Sequence, residues 1–510
     1  MESLKKIIRD LSRQEVYLLR NLLKQQVNGC HGKRIQLFDL IRKNRNSSDN
    51  EAALLLYGSK PNSAFSHLKK RLKDDLLNFL FLNNFFENHS PDNCSGAKSI
   101  FYKSLLFRQI YSSKNISHEA SLLQKSMEQI VGQHEFALEK LLVLEQTVLQ
   151  QNDFFEMEEA EKIAQFIDEQ CMSYRLVFMA KVYCKKMYHV ARDFGQYELS
   201  DVEKMLEIIY GLKKLSDEQN LSTAEFWYCF LHSIYHWIFY SPAKALGYAK
   251  RALDIAEGHP EKFTDENLLA IKTHLSLLHL CKGDTVASRK YLEQPTLFLS
   301  LGHTTFLDAA EVSLHLCFCE SNLTEAEKII ERELFRHKTT DAGLCLTKWQ
   351  YYQACLEFAK GDFKKSSSLL MNKKESGRYN SSKLLLGHKL LELMNLIELG
   401  KYDLLEYKIN AFKQLLKRIK NKNPHRYKLI GKQLDELMKE GYDFKATAKK
   451  QNADLRVLSL HMGICRWEPF NYEMIRFEEW LLKKNKQGKK VFCTEADAPH
   501  EKTYSASKII

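Results

Sequence analysis

Two histidines four residues apart, His232 and His236, have the spacing in this sequence that best suits a chemical site. On a helix they would share one face, as two zinc ligands do. Their surroundings, FLHSIYHWIF, lack the adjacent glutamate of a zinc-protease helix, and the sequence indicates no third ligand. Packing among Tyr235 and Trp237, or contact with a partner, is therefore the favoured interpretation, and we predict no metal ion.

Other patterns of catalysis or nucleotide binding are missing from the sequence. It contains no GxxxxGK[ST], GxGxxG or GxSxG motif, so neither a phosphate-binding loop nor a nucleophile elbow is indicated. The acidic run at residues 156–161 lacks the Glu-x-x-His pairs of di-iron bundles. We predict a protein without cofactor or enzymatic activity. An enzyme whose residues meet only in the fold is the alternative.

The cysteines and the start of the chain indicate a cellular compartment. The 12 cysteines are scattered without a CxxC pair, which is typical of buried, reduced thiols. The first residues are too highly charged for a signal peptide. The longest apolar stretch, residues 76–86, is interrupted by asparagines and is too short to span a bilayer. We expect a cytoplasmic protein without membrane contact.

Near-regular breaks between helices are the main evidence for the fold. Only 20 glycines and 8 prolines occur among 510 residues, so helices are expected nearly throughout. The predicted breaks lie at Asn152, Gly195, Tyr240, Gly283, Ser321, Gly361 and Gly400. Such spacing predicts stacked helix hairpins, each burying its apolar face against its neighbours. An irregular helical bundle is the alternative.

The unit around Gly361 shows the pattern most fully. In ACLEFAKGDFKKSSSLL, Gly361 ends one helix, Phe363 follows the turn, and the small Ser366 lets the second helix approach the first. This stretch resembles the tetratricopeptide repeat, although the spacing here exceeds that family's length of about 34 residues. The resemblance implies an all-α fold, with a right-handed superhelical array of antiparallel helix hairpins over residues 100–410.

Such arrays present surfaces and seldom carry chemistry. The first helices of the hairpins would line a concave wall that clamps an extended peptide or a partner's helix. The side chains predicted to bind the partner there are His232, Tyr235, Trp349 and Tyr352. We therefore predict a non-enzymatic protein–protein interaction scaffold or adaptor.

Residues 1–90 are predicted to form a small basic helical domain of net charge +7, with helices at 13–26, 33–44, 49–57 and 62–86. The fourth helix carries Lys69, Lys70, Arg71 and Lys73. A short helix, a turn and a basic helix would suit a DNA reader, and with the array they are similar to peptide-sensing bacterial regulators. A transcriptional regulator with a ligand-sensing array is thus the alternative function, and an ordinary solvated helix face is the simpler interpretation.

Residues 411–484 are predicted to form basic and aromatic capping helices, after which residues 485–510 are expected to be mobile. The basic residues that would meet nucleic acid, unless they form a solvated face, are Lys417, Arg418, Lys420 and Lys422. One final helix is expected to seal the open end of the array or dock a partner, through Trp467, Phe470, Tyr472, Phe477 and Trp480. Residues 91–99 are predicted to be a linker.

Overall fold

The structure is a computed structural model. It describes residues 4–5, 7–8, 11, 13–25, 32–43, 48–86, 94–113, 117–148, 157–192, 199–239, 242–292, 309–338, 343–371, 382–419, 425–450, 452–460 and 465–487. All regular elements in these ranges are helices.

The first helices are α1 (Arg13–Gln25), α2 (Lys33–Lys43), α3 (Asp49–Tyr57), α4 (Ser63–Phe86), α5 (Cys94–Ser113), α6 (Ser117–Gln133), α7 (Ala137–Val148), α8 (Met157–Arg192), α9 (Leu199–Gln219), α10 (Ser222–Phe239), α11 (Pro242–Gly258) and α12 (Asp265–Cys281).

They are followed by α13 (Thr285–Leu292), α14 (Ala309–Cys319), α15 (Leu323–Lys338), α16 (Gly343–Lys360), α17 (Phe363–Leu370), α18 (Ser382–Glu398), α19 (Tyr402–Arg418), α20 (His425–Lys439), α21 (Phe444–Lys450), α22 (Asn452–Ser459), a 3₁₀ turn (Pro469–Asn471) and α23 (Phe477–Gln487).

The chain divides into two compact units, Met1–Ile130 and Val131–Ile510. In the first unit, helices α1 to α4 bury an apolar core that includes Leu19, Phe38, Phe65 and Leu72. These four helices begin and end within one residue of the predicted positions. The domain boundaries predicted near residues 90 and 410 stay predictions.

The predicted linker at residues 91–99 is wrong in its second half. Helix α5 begins at Cys94, and Ala97 is buried. The small and polar residues CSGAK suggested a loop, but none of them prevents a helix once its apolar positions have a surface to pack on.

Five turns of the second unit have the same backbone hydrogen bonds. At Gly361 the N–H bonds to the Phe358 carbonyl at 3.0 Å, and the next N–H bonds to the Glu357 carbonyl at 2.9 Å. This is the Schellman motif, which needs a positive φ at its glycine position. The same two bonds recur in the turns at Gly283, Ser321, Gly400 and Gly441, all with positive φ.

Four of the predicted breaks, at Gly283, Ser321, Gly361 and Gly400, are therefore confirmed as turns between helices. The positions Asn152, Gly195 and Tyr240 lie outside the described residues. Gly441, 41 residues after Gly400, is a further break of the same kind that the sequence analysis missed.

Aspartate or asparagine opens the next helix after four of these turns. The Asp362 carboxylate accepts the N–H of Lys365 at 2.9 Å, and the Asn322 side chain accepts that of Glu325 at 3.2 Å. Asp284 and Asp443 do the same. Each side chain satisfies an N–H group that the helix start leaves free.

Small side chains sit where the two helices of a hairpin meet. Ser366 is fully buried, and its hydroxyl donates to the Ala354 carbonyl at 2.8 Å, as predicted for close packing. Ser288, Ala326 and Thr447 occupy the equivalent place, four residues after the cap, and are also fully buried.

Helix α8 is a single long helix where the repeat spacing predicts a helix hairpin. The breaks predicted at Asn152 and Gly195 imply a hairpin between them, but Met157–Arg192 is a single helix of 36 residues. The sequence between those two breaks contains neither glycine nor proline, so nothing in it interrupts the helical hydrogen bonds.

Candidate protein-interaction site

The inner wall of the second unit is covered by the chain's own residues 465–475, which we call the crossing segment. Its 3₁₀ turn, Pro469–Asn471, packs against α8, α12 and α18. Lys383 of α18 donates to the Ala191 carbonyl of α8 at 2.7 Å, so the first and later helices of the array meet. Helices of this unit therefore surround the crossing segment.

Aromatic side chains anchor the crossing segment to successive helices. Trp467 packs against Leu280 and Leu316, and Phe470 lies edge-on to Trp237 at 6.0 Å between ring centroids. Tyr472 stacks on a tyrosine of α16 at 6.3 Å. Each of these three side chains is at most 4% exposed. Their burial fixes the path of the segment across the array.

Tyrosine hydroxyl groups form hydrogen bonds with the backbone of the crossing segment. The Tyr351 hydroxyl donates to the Tyr472 carbonyl at 2.5 Å, and the Tyr427 hydroxyl donates to the Asn471 carbonyl. A Cβ atom added at Gly387 would overlap the Tyr472 carbonyl oxygen. Helix α18 therefore needs glycine at this position for the backbones to approach.

A buried ionic cluster holds the end of the segment. Arg426 of α20 forms a bidentate pair with Glu473, at 2.5 and 2.8 Å, and donates to Glu478 at 2.6 Å. Its guanidinium also donates to the carbonyls of Leu458 and Cys465. All the donors of this buried cation thus point at acceptors in the C-terminal part of the unit.

The prediction of one final aromatic helix is wrong. Only Phe477 and Trp480 lie in α23, whereas Trp467, Phe470 and Tyr472 belong to the crossing segment, whose only regular element is the 3₁₀ turn at Pro469–Asn471. The backbone carbonyls of this segment bond to tyrosine hydroxyls, so helical hydrogen bonds are not needed to satisfy them. The segment lies along the inner wall and does not simply cap the last hairpin.

The crossing segment also changes the interpretation of two predicted partner-binding residues. Trp349 and Tyr352 are both 0% exposed. The Tyr352 hydroxyl donates to the buried Glu311 carboxylate at 2.5 Å, and its ring lies under Tyr472. These aromatics face the interior and offer no surface to a partner in this structure.

The other two predicted partner residues, His232 and Tyr235, are half-buried on α10. His232 stacks on His236 at 4.7 Å and lies 4.2 Å from the Tyr248 ring. Burial, followed by the charge of His236, lowers the pKa of His232 to about 4. In the described ranges, no three His, Cys, Asp or Glu side chains are grouped to hold a metal ion. Partner binding by His232 and Tyr235 stays a prediction.

Sequence reasoning missed a buried polar network in the same unit. His274 lies between the Tyr188 hydroxyl at Nδ1 and the Ser233 hydroxyl, 2.9 Å from Nε2. Ser233 in turn donates to the Ala245 carbonyl at 2.8 Å. Burial lowers the pKa of His274 to about 3. A serine beside a histidine suggests a nucleophile, but both side chains are 0% exposed, so the network cross-links helices.

An open groove of about 990 Å³ lies along the turns of three consecutive hairpins, and we call it the turn groove. Its lining consists of Gly283, Thr285, Phe318, Cys319, Ser321, Leu323, Phe358, Ala359, Lys360, Gly361, Phe363, Glu398, Met474, Ile475, Arg476, Glu479, Trp480, Lys483 and Lys484. The far side of the groove is thus formed by the end of the crossing segment and by α23.

The turn groove has an apolar floor and a charged rim. Phe358 and Phe363 meet edge-on at 5.1 Å on the floor. On the rim, Trp480 donates to Glu398 at 2.7 Å, and Lys484 pairs with the same carboxylate. The lining holds four cationic and two acidic side chains, with Lys483 exposed. The groove therefore suits an apolar ligand that also carries negative charge.

The residues predicted to bind nucleic acid are distributed over both units. On α4, Lys70, Arg71 and Lys73 are exposed, whereas Lys69 pairs with Asp49 at 2.6 Å. Their role stays a prediction.

In the second unit, Lys417 and Arg418 are exposed in the last turn of α19. Lys420 and Lys422 lie outside the described residues. Nucleic-acid binding by these four residues also stays a prediction.

Comparison with known proteins gives structural likenesses only. No protein-family model matches the chain, and no curated protein matches it. A Rap protein complexed with competence and sporulation factor has a similar structure, with a TM-score of 0.39 and 10% identity over 78% of this chain and 98% of that chain.

Two further solved structures are similar to the chain. The apo form of RapI has a TM-score of 0.39 and 12% identity over 76% of this chain and 99% of its own. The Rap conjugation gene regulator of the plasmid pLS20, in complex with the Phr* peptide, has a TM-score of 0.38 and 10% identity. The match covers 63% of this chain and 99% of that chain.

The helices and repeated turns define the class to which the fold belongs. The described residues are all-α, and those of the second unit include helix hairpins of the tetratricopeptide-like kind, five of whose turns are Schellman motifs. Among these residues, no helix has the length and apolar character needed to cross a membrane.

Proposed function

We propose that this chain is a non-enzymatic protein–protein interaction scaffold whose partner docks in the turn groove. The single observation that carries the proposal is the groove itself, a recess of about 990 Å³ that spans three hairpin turns and α23. Ligand sites in proteins are concave and largely apolar, with a few polar groups that fix orientation.

The turn groove is a better docking site than the inner wall. A partner on the inner wall would have to displace the crossing segment, including the buried Trp467, Phe470 and Tyr472. Removing a large aromatic side chain from a packed core costs about 3–5 kcal/mol. The turn groove is open while the crossing segment stays in place, so docking there carries no such cost.

The partner that fits the turn groove is an extended peptide segment with apolar anchors and acidic flanks. Phe363, which is partly exposed and packs against the buried Phe358, offers an apolar floor for the anchors, and Lys483 on the rim attracts the acidic residues. One well-buried aromatic anchor contributes on the order of 2 kcal/mol to binding. Two or three anchors would give useful affinity after the cost of ordering the peptide.

The test is selection of peptides from a random library by the full chain, followed by binding measurements on blocked variants. Ala359 is an exposed groove residue, and Ala359→Trp fills the groove without changing the core. Ala243 is equally exposed on α11, outside the groove, and Ala243→Trp is the matched control. We expect acidic, aromatic-containing peptides whose binding weakens about tenfold or more in Ala359→Trp and is unchanged in Ala243→Trp.

Two results of this selection would overturn the proposal. One is the absence of any enriched peptide. The other is a set of peptides that bind Ala359→Trp as tightly as the parent chain, because the docking surface would then lie elsewhere.

We also propose a cytoplasmic location for the protein. Cys184, Cys229, Cys281, Cys317 and Cys355 are buried free thiols, which suit a reducing compartment. Burial raises the pKa of the Cys229 thiol to about 12, so it is an unreactive core residue.

A DNA-binding regulator is the second candidate function. The observation that favours it is the exposure of Lys70, Arg71 and Lys73 on α4, which follows the turn at Gly58. Such residues would contact phosphates and make retention on DNA depend on salt.

A further inference from the structure

The first unit contains a second recess, and basic side chains line it. This basic pocket has a volume of about 500 Å³ and is lined by Lys33, Arg34, Tyr57, Ala64, His67, Leu68 and Arg71. It lies where the start of α2, the end of α3 and the first three turns of α4 come together. Its location is independent of the turn groove, which belongs to the second unit.

The charged side chains that line the basic pocket are cationic. Among the described residues that line it, none carries a carboxylate. Arg34 is engaged by Asp75, at 2.7 Å, at the edge of this region. Lys33, His67 and Arg71 are exposed side chains, so a ligand entering the recess meets two fixed positive charges and a histidine.

Tyr57 fixes one of these cations. The Lys33 ammonium lies 3.7 Å from the centroid of the Tyr57 ring, a cation–π contact that orients the side chain. Tyr57 itself is held edge-on by the buried Phe65, at 6.4 Å between centroids. The wall of the pocket is therefore partly preorganised, which lowers the ordering cost of binding.

We propose that the basic pocket binds the phosphate group of a phosphorylated ligand. Arg71 offers the planar donor fork that matches phosphate oxygens, and Lys33 contributes a point charge. Such a group belongs to a small phosphate monoester or to a nucleic-acid backbone. The concave shape of the pocket favours the monoester, whose phosphate is terminal, can enter the recess and carries more charge.

The experiment measures the binding of inorganic phosphate to the full chain by ³¹P NMR line broadening and isothermal titration. Lys33→Ala and Arg71→Ala remove one cation each from the pocket. Arg42→Ala and Lys43→Ala are matched controls, because both residues are exposed in the last turn of α2, at the other end of the helix from Lys33, and do not line the pocket. We expect each pocket variant to weaken phosphate binding about tenfold and the controls to stay within about twofold.

A second arm distinguishes the source of the phosphate. A fluorescent DNA duplex is titrated into the same variants, with and without competing inorganic phosphate. DNA binding that is lost in Lys33→Ala and Arg71→Ala, and is displaced by phosphate, would support the pocket and assign it to a nucleic-acid backbone. Phosphate binding without DNA binding would support the pocket and assign it to a monoester.

Two outcomes would overturn the proposal. The first is no measurable phosphate binding by the parent chain. The second is phosphate or DNA binding that falls in Arg42→Ala and Lys43→Ala as much as in the pocket variants, since an unspecific basic surface would then explain it. Melting temperatures of all variants establish that the exposed substitutions leave the fold intact.

Discussion

Arg426 holds two carboxylates, Glu473 and Glu478, in the interior of the second unit. One cation cannot neutralise two anions, and all three side chains are at most 3% exposed. Burial, followed by repulsion from Glu473, raises the pKa of Glu478 to about 7, against an ordinary value of 4.5. Glu478 is therefore the residue whose charge state most directly affects the anchoring of the crossing segment.

We predict that Glu478→Gln stabilises the protein in a pH-dependent way. Folded Glu478 keeps its proton up to about pH 7, whereas the unfolded chain releases it near its ordinary pKa. The folded state therefore loses stability as pH rises between these two values. Glutamine keeps an acceptor for Arg426 without the charge. The variant should gain on the order of 2 kcal/mol over the parent chain at about pH 8 and little at about pH 5.

Urea unfolding at the two pH values measures this effect. Glu479→Gln is the control, because Glu479 is exposed on the same helix and its pair with Arg476 lies at the surface. A Glu478→Gln chain less stable than the parent at both pH values would show that Arg426 needs both negative charges.

The positions of single aromatics were the hardest part of the site to predict. Trp349 and Tyr352 lie on one of the expected inner helices, yet both are buried, and Tyr352 is covered by Tyr472, a residue 120 positions later in the chain. Periodicity identifies the apolar face of a helix but not the chain segment that covers it. The groove aromatics Phe358 and Phe363 could be predicted as turn residues because they flank the Gly-Asp signal.

At the scale of elements, the repeated unit is the Schellman turn, after which an aspartate or asparagine side chain usually caps the next helix. Gly361 has a φ of +88°, and a Cβ there would meet no other atom. Only the backbone conformation disfavours a side chain at this position. Gly247 lies inside α11 and is equally open, but its φ is not in the left-handed region.

This contrast gives a matched pair of substitutions. Gly361→Ala should destabilise the protein by about 1–2 kcal/mol, because alanine resists the left-handed conformation. Gly247→Ala should stabilise it by up to about 1 kcal/mol, because alanine favours a helix interior. Thermal and urea unfolding of the two variants measure both signs. Equal effects of the two substitutions would show that Gly361 does not impose the turn.

Four of the five Schellman turns were predicted from the sequence, and the fifth, at Gly441, shows why it was missed. In GYDF, Tyr442 separates Gly441 from the capping Asp443, and both Gly441 and Tyr442 have positive φ. Because Tyr442 is inserted between the glycine and the aspartate, the turn does not match the Gly-Asp pattern. The long helix α8 shows the opposite case, since the stretch between the breaks predicted at Asn152 and Gly195 contains no glycine or proline and forms a single helix.

At the scale of the whole second unit, a repeat array is combined with a segment that occupies its interior. The array and its approximate repeat length follow from the sequence, because each hairpin carries local turn signals. The crossing segment does not, because its contacts with α8, α12 and α18 join positions far apart in the chain. The inner wall is consequently covered by the chain itself, and the surface that stays open to a partner is the turn groove.

The measurement that tests the central claim most directly is hydrogen–deuterium exchange of the full chain, with and without a peptide selected for binding. The account predicts added protection in four separate stretches, residues 283–285, 318–323, 358–363 and 474–484, since together they line one groove. Protection confined to a single turn, or to the inner helices with release of residues 465–475, would contradict it.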